Sequence, residues 1–597
     1  MRHIEPQAHR LTEPRYQQFF KRGGPEKPGS SVGIGALKIN QTEDALLILL
    51  ITLLTFTTFL ILFTFRSFDD NRLTSWQWVF ADIDIIRMLL ILLVAVVLAY
   101  ALSMASVIER KPAAVLFGSS FIVAGIFWGE PEVIVDASRY FVQAKYLELY
   151  GIGYFVREWG KEIMVWTDLP LVPLLYGLIF DVFGEARMAI QMFVALLFSA
   201  TVVLTYLIGK TLWDESVGIY GGMLLLAMPY LLTQVPLMLV DVPAMFFLTL
   251  AVFVTIKAVR QGGLLLLLAS SVAIMLASLS KYSNWLMLSV FPVILLSHFE
   301  SGWKIILRRG ATIALATTCL MGMVMLWKFD VFAEQLALLQ SYQLPGLQRW
   351  QESFTSTFFF QIHPFITLAA LYSIYRAIRR KDPTYAIVGW MLLLVILLEI
   401  KRIRYTVVVF PMLALMAAYG FREVRNLAIG KFAVSCAVVS SLVVAVAGYL
   451  PFLQKTSAVN LKTAGEYLNS IDGATVEVHV LPQLRSSINP AVSVPILDYF
   501  TNKEVAYQSD MGLNPRPGQE VIETSPLRFT WAYKHPPYFS AKRANVDTPV
   551  AVILSDSNQS LPSHIARRLG AYRLDKELNT SDRLFRYKTI VQVYQPI

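Results

Sequence analysis

With 597 residues, 55% of them hydrophobic and only 16% charged, and a mean hydropathy of +0.54, the chain carries too little charge for a soluble globular protein of its length, so the bilayer is its solvent. The net charge of +10 gathers in short loops between apolar runs, as membrane orientation requires, and gives no reason to expect a nucleic-acid partner. The two cysteines, Cys319 and Cys436, both lie in apolar runs and suggest no disulfide framework.

Residues 1–43 are polar and carry Pro and Gly. No cleavable signal peptide is visible there, and the segment is expected to be a disordered, basic cytoplasmic tail. A crossing helix needs about 20 mostly apolar residues to span a hydrocarbon core of about 30 Å. Runs near 45–65, 88–107, 113–128, 188–208, 217–235, 237–256, 263–280, 283–298, 311–327, 356–376, 384–399, 403–420 and 432–450 meet that need, so about thirteen transmembrane helices are expected. Leu169–Phe183 is apolar as well, but its prolines and Asp181 read as an interfacial helix.

An inside N-terminus puts Arg110 and Lys111, Lys210, Lys257 and Arg260, Lys304 with Arg308 and Arg309, Arg376 through Lys381, and Arg422 with Arg425 and Lys431 into cytoplasmic loops. Counting Leu169–Phe183 as a crossing would invert every later loop and destroy this pattern. The odd count also places loop 129–187 and the C-terminal region outside. The expected localisation is the plasma membrane, multi-pass, with an extracytoplasmic C-terminal domain.

Two outward positions break the charge rule. Lys401, Arg402 and Arg404 sit between two spans, and Lys281 stands at another outer junction, in Ser280-Lys281-Tyr282. Headgroup anchoring by snorkelling is one reading; a cationic site for a phosphate is the other. Two independent violations on one face favour the site.

Carboxylates share that face. Loop 129–187 opens with Gly129-Glu130-Pro131-Glu132 and Asp136-Ala137-Ser138-Arg139-Tyr140, and later carries Asp168 before a proline-rich stretch. Helical spacing from Ala137 to Leu149 makes Asp136 a candidate N-cap, yet a loop of this length usually has work to do. Asp241, in Leu239-Val240-Asp241-Val242-Pro243, sits among apolar residues near the outer end of a span. There it either pairs with a base or contacts substrate or metal.

Beyond about Gln454 apolar runs shorten and charge rises. Thr463–Ser470 and Ile565–Leu569 read as helices, and Thr475–Leu481, Pro549–Leu554 and Thr589–Tyr594 as strands, which gives a small α/β domain. It would recognise the acceptor or simply cap the membrane part. Its sequons, at Asn558 and Asn579, agree with an outer location.

The motifs follow in order: Asp136 to Tyr140, Pro170-Leu171-Val172-Pro173-Leu174-Leu175-Tyr176, Phe183-Gly184-Glu185 with Arg187, Leu239 to Pro243, Ser280-Lys281-Tyr282, and Lys401 to Pro411 with Arg404-Tyr405 inside it. This set resembles the GT-C superfamily of integral membrane glycosyltransferases, in its protein O-mannosyltransferase and aminoarabinose lipid A transferase branch, over roughly residues 113–425. The resemblance implies a mainly α, polytopic GT-C-like fold: a cytoplasmic tail (1–43), an added N-terminal hairpin (44–112), a catalytic module (113–453) and a soluble α/β domain (454–597). It also implies a catalytic carboxylate at Asp136 and direct, inverting displacement. Where the family usually has Asp-Glu, this chain has Asp136-Ala137, so any contribution of a second acid to metal binding is missing.

Transfer from a polyprenyl phosphate needs a base for the acceptor hydroxyl and cations for the leaving phosphate. Asp136 is the expected base, and Lys281, Arg402, Arg404 and Lys401 are the expected phosphate ligands. Asp168, Asp241, Arg139 and Tyr140 are candidates for substrate or metal contact. No cofactor is required, though a divalent metal between Asp136 and Asp241 stays open. The partners expected are the lipid-linked donor, membrane lipid, and a protein, lipid or glycan acceptor. Walker A and GxGxxG motifs are absent, no zinc spacing is present, and His363 reads as a buried core histidine. A transporter or flippase is the main rival; it would carry mid-bilayer charges and internal repeats, and neither is found. A ligand-binding receptor is a second. An oligosaccharyltransferase should carry a tryptophan-rich acceptor motif, whereas only Trp531 lies beyond residue 454.

Overall fold

The computed structural model describes residues 41–71, 74–81, 83–129, 136–163, 165–343, 352–424, 426–456, 459–481, 490–507, 547–554, 556–580 and 589–597. The tail, Glu130, Glu132 and Trp531 lie outside them. The chain divides into two units: Met1–Leu47, described only as the start of a helix from Gln41, and Ile48–Ile597.

Each apolar run of the sequence forms helix over most of its length. Among the described residues, seven helices are long and apolar enough to cross a membrane: Glu43–Thr64, Ile85–Met104, Arg187–Leu212, Asp241–Gln261, Trp303–Trp327, Ile403–Phe421 and Leu427–Gln454. The remaining runs are shorter or broken. Run 217–235 breaks before Pro229, run 283–298 between Met287 and Val290, and run 356–376 at His363 before Pro364. Proline has no N–H to give and clashes with the preceding turn, so these are the points where a continuous apolar run stops being one helix. The helix Leu171–Phe183 has 13 residues, about 20 Å at 1.5 Å per residue, which is short of a hydrocarbon core. It packs instead on the loop helix Asp136–Glu158, where a Cβ on Gly177 would come within 2.6 Å of Leu147.

Burial sorts the helices into a centre and a rim. The apolar window of Ile403–Phe421 is 94% buried, while that of Glu43–Thr64 is 11% buried and presents leucines outward, as a lipid-facing helix does. At the centre backbones nearly touch: a Cβ on Gly209 would lie 2.8 Å from the Gly218 Cα. Arg309 donates to the carbonyls that end helix Asp241–Gln261, and Arg422 pairs with Asp214 beyond the end of Ile403–Phe421. Both helices begin at acids or bases of the site described below. At 1.5 Å per residue the basic loops therefore lie about 30 Å from it, at the other end of the bundle.

Beyond the membrane helices, five strands among the described residues form one sheet in the order β2-β1-β3-β5-β4: β1 Thr475–Val480, β2 Glu504–Tyr507, β3 Val550–Leu554, β4 Tyr572–Leu578 and β5 Ile590–Pro596. The first three are parallel, and β5 runs antiparallel to both β3 and β4. Helices Val459–Asn469 and Pro490–Phe500 cover one face and Ser563–Arg568 the other. The strands and helices expected here are found, together with β2, β4 and helix Pro490–Phe500, which short or polar segments had hidden.

This domain seats on the loop helix. Buried Lys145 pairs with Asp498 at 2.5 Å and with Glu185, and the Arg187 guanidinium lies 4.7 Å over the Phe500 ring. Burial pushes the Asp498 carboxyl up to about 7 against the pull of Lys145, and raises Glu185 and Glu148 as well.

Candidate active site

The loop helix starts at Asp136 and carries Arg139, Tyr140 and Gln143 on successive turns. The Asp136 Oδ2 accepts from Arg404 Nη1 at 2.7 Å, and its Oδ1 lies 3.5 Å from Arg139 Nη2. The same Arg139 nitrogen donates to Asp168 Oδ1 at 3.0 Å, and Gln143 Nε2 lies 3.2 Å from Asp168 Oδ2. Positions i, i+3 and i+7 of one helix share a face, which is why this segment meets both acids.

Asp241 opens the central helix Asp241–Gln261, where a carboxylate suits the positive end of the helix dipole. It is fully buried, and it satisfies the pairing expected of it twice over. Lys281 Nζ donates to Oδ1 at 2.5 Å and Arg404 Nε to Oδ2 at 3.0 Å. Lys281 is held at the end of helix Leu264–Ser280 by Asn284, whose amide donates to Ala244 O, Ala277 O and Ser280 Oγ. One guanidinium thus bridges Asp136 and Asp241, residues brought together from the loop helix and a central span.

Tyr405 collects the other cations. The Arg402 guanidinium lies 5.2 Å from its ring centre and donates to its hydroxyl at 3.4 Å, and Lys281 Nζ lies 5.5 Å from the same centre. Lys281, Arg402 and Arg404 therefore converge. Lys401 does not join them: its side chain is 41% exposed and its ammonium pairs with Glu399 at 3.2 Å.

The three carboxylates differ in access. Asp241 and Asp168 are sealed, with side chains 0% and 4% exposed, whereas Asp136 is 26% exposed and is the acid a substrate can reach. Burial pushes the Asp136 carboxyl up, but Arg139 and Arg404 outweigh it and hold it below the ordinary carboxylate range. For Asp168 burial wins over Arg139, and with Asp136 nearby its carboxyl rises to about 6. Tyr140, buried beside these acids, is held in its protonated form, a donor.

A divalent metal between Asp136 and Asp241 does not fit this donor set. The guanidinium of Arg404 occupies the space between the two carboxylates and takes an oxygen of each. Among the described residues no group of three His, Cys, Asp or Glu is placed to hold a metal. His363 is half-buried rather than sealed in the core, and it is hydrogen-bonded, its ring nitrogens meeting Ser440 Oγ at 2.9 Å and Phe365 N at 3.1 Å.

Several partners escaped the sequence reading. Gln335 donates to the Asp168 carbonyl at 2.9 Å and accepts from the Tyr282 hydroxyl at 2.6 Å, tying the Asp168 loop to the Lys281 turn. Tyr282 and Tyr405 stood inside the motifs. Gln335, on the short helix Phe329–Leu338, and Gln143 had no motif to mark them. Lys145, Glu148 and Asp498 were missed for the same reason, since their partners are distant in sequence.

Comparison with known proteins follows this geometry. The family profile described as dolichyl-phosphate-mannose-protein mannosyltransferase matches residues 168–327, a stretch that contains Asp168, Asp241 and Lys281. No curated protein sequence matches the chain. Among solved structures, ArnT from Cupriavidus metallidurans bound to undecaprenyl phosphate aligns at 12% identity with a TM-score of 0.51, covering 80% of this chain and 97% of that one. AglB, the oligosaccharyltransferase of Archaeoglobus fulgidus, solved with an inhibitory peptide and a dolichol-phosphate, aligns at 11% identity over 61% of this chain and 58% of that one. Its TM-score of 0.41 is too low to bear on the fold. The profile match and the whole-length likeness to ArnT give the chain the fold of the GT-C superfamily of integral membrane glycosyltransferases, the group its motifs resemble.

Proposed function

We propose that the chain transfers a sugar from a polyprenyl-phosphate donor to a hydroxyl of a protein, lipid or glycan acceptor, at the outer face of the plasma membrane with its N-terminus in the cytoplasm. The observation that carries this is the Arg404 bridge: a buried guanidinium shared by two carboxylates, beside Lys281 and Arg402, at one end of the helix bundle. The profile match to a dolichyl-phosphate-mannose mannosyltransferase and the fold shared with an undecaprenyl-phosphate-bound protein support a lipid-phosphate donor.

In this reading the acceptor oxygen attacks the anomeric carbon from the side of Asp136 while the bond from that carbon to the phosphate oxygen breaks. The acceptor proton passes to the Asp136 carboxylate. The polyprenyl phosphate departs with the bonding electrons onto Lys281, Arg402 and Arg404. The Arg404 position makes base and donor interdependent. A phosphate that draws Arg404 weakens its bond to Asp136, and Asp136 becomes more basic once the donor has arrived. Asp241, sealed and doubly paired, orients the two cations. Residues 113–453 would form the catalytic module, 454–597 an extracytoplasmic domain that bears on acceptor choice, and 44–112 an added hairpin. A transporter is disfavoured because the connected charges lie at one end of the bundle rather than at mid-bilayer.

Purified protein given radiolabelled polyprenyl-phosphate mannose, glucose or arabinose should transfer or hydrolyse one of them, and Asp136→Asn should not. Folded wild-type protein that turns over none of these donors would overturn the proposal.

A further inference from the structure

The loop between the first two long helices does more than connect them. Asp69 is 2% exposed and takes four hydrogen bonds on its carboxylate: from Trp76 N at 2.7 Å, Asn71 N at 3.2 Å, Gln361 Nε2 at 2.8 Å and Ser356 Oγ. The first two fold the loop on itself; the last two reach about 290 residues along the chain. Asp70 adds a second hold, accepting from Ser353 N at 2.9 Å and Ser353 Oγ at 3.2 Å. Gln361 is fixed further by Thr74 and by the Tyr449 hydroxyl at 2.8 Å. Trp76 packs against Phe80 and Phe59 with tilted rings and edge-on against Phe360.

The gripped segment touches the cationic turn at two places. Thr357 Oγ1 donates to the Lys401 carbonyl at 2.7 Å, and Glu352 Oε2 lies 3.4 Å from Ile403 N. These two backbone groups flank Arg402 and lead into Arg404. A short turn held on either side by buried partners has little freedom to re-aim its side chains. Burying a carboxylate such as Asp69 is costly unless its oxygens are bonded, and the four hydrogen bonds above meet that need on both oxygens.

We propose that Asp69 is a positioning residue: through Ser356 and Gln361, and then Thr357 and Glu352, it fixes the 401–404 turn so that Arg402 and Arg404 present themselves to a phosphate. This rests on the donor-phosphate reading above and gives the added N-terminal hairpin a task in it. Asp69 itself touches neither donor nor acceptor.

The test uses the full-length protein in detergent or nanodisc. In Asp69→Ala the KM for the polyprenyl-phosphate donor should rise about tenfold, the loss of one charged hydrogen bond, with the acceptor KM unchanged and Asp69→Asn recovering most of the loss. Thr357→Val should raise donor KM in the same sense by a few-fold. Amide exchange of residues 400–406 should speed up in both variants, a readout that needs no turnover. If Asp69→Ala fails to fold, Asp70→Ala and Thr357→Val decide the matter by the same two measurements. An unchanged donor KM with unchanged exchange at 400–406 overturns the inference, as does an equal rise in donor and acceptor KM. A wild type that neither turns over nor binds polyprenyl phosphate sinks the donor-site reading instead; faster exchange in the variants would then still report the clamp without its catalytic purpose.

Discussion

Two ion clusters grow from one helix, six residues apart, and they are built to opposite rules. Around Arg139 and Arg404 three acids meet three bases: Asp136, Asp168 and Asp241 against Arg139, Lys281 and Arg404. Around Lys145 a single ammonium faces Glu185 and Asp498 directly, with Glu148 bonded to Glu185. The first sets three acids against three bases, with the Arg402 guanidinium close by over Tyr405, and its exposed acid stays ionised. The second is short of positive charge, so burial pushes its acids up, Asp498 to about 7. Balance with one reachable member suits chemistry; imbalance sealed under a domain suits a joint. The Lys145 cluster holds the sheet domain to the loop helix, and the Arg404 cluster is the candidate site.

Four substitutions would sharpen or break that contrast, from the largest expected effect downward. Asp136→Asn removes the reachable base and should lower transfer by about 10²–10⁴-fold, with the melting temperature nearly unchanged; a loss under tenfold would move the base elsewhere. Lys145→Met should cost about 3–5 kcal/mol of stability at pH 8, because it leaves the buried Asp498 carboxyl without its cation and facing the half-buried Glu185. Asp498 has its folded pKa raised to about 7, so its contribution to stability is present below about pH 4, its unfolded value, and is lost as pH rises through 7. Acidification protonates the stranded carboxyls, so the deficit of Lys145→Met should shrink toward pH 5. A deficit that does not depend on pH in thermal melts would count against the joint.

Smaller effects follow. Arg402→Gln should raise donor KM about tenfold and leave acceptor KM alone, which steady-state kinetics with both substrates varied would reveal. Asp168, raised to about 6, stabilises the fold in its protonated form, and that contribution fades as pH rises from about 4 to 6. In Asp168→Asn this slope should vanish from the melting curve against pH, a modest change that a persisting slope would refute.

How much of this was legible in the sequence depends on the kind of signal. Helix positions, Leu171–Phe183 among them, and the α/β character of the C-terminal domain follow from apolar runs and strand alternation, which are local. The site residues were legible because they violate local rules: Lys281, Arg402 and Arg404 put charge where charge is disfavoured, and Asp241 stands alone among apolar residues. Lys401 broke the same rule without joining these cations: it immediately precedes Arg402, yet its side chain turns toward Glu399. The Asp69 clamp, the Lys145 joint and Gln335 were illegible. Each has a partner 167 to 353 residues away, and an acid in a loop looks ordinary until the fold buries it.

The central claim is that Asp136 and the donor phosphate compete for Arg404, and equilibrium binding of polyprenyl phosphate tests it directly. Affinity should be measured for wild type, Asp136→Asn, Arg404→Gln and the double variant. The account predicts that Asp136→Asn binds the lipid phosphate more tightly than wild type although it cannot transfer sugar, and that this gain disappears when Arg404 is also replaced. Unchanged or weaker binding by folded Asp136→Asn, or a gain that survives the loss of Arg404, would contradict it.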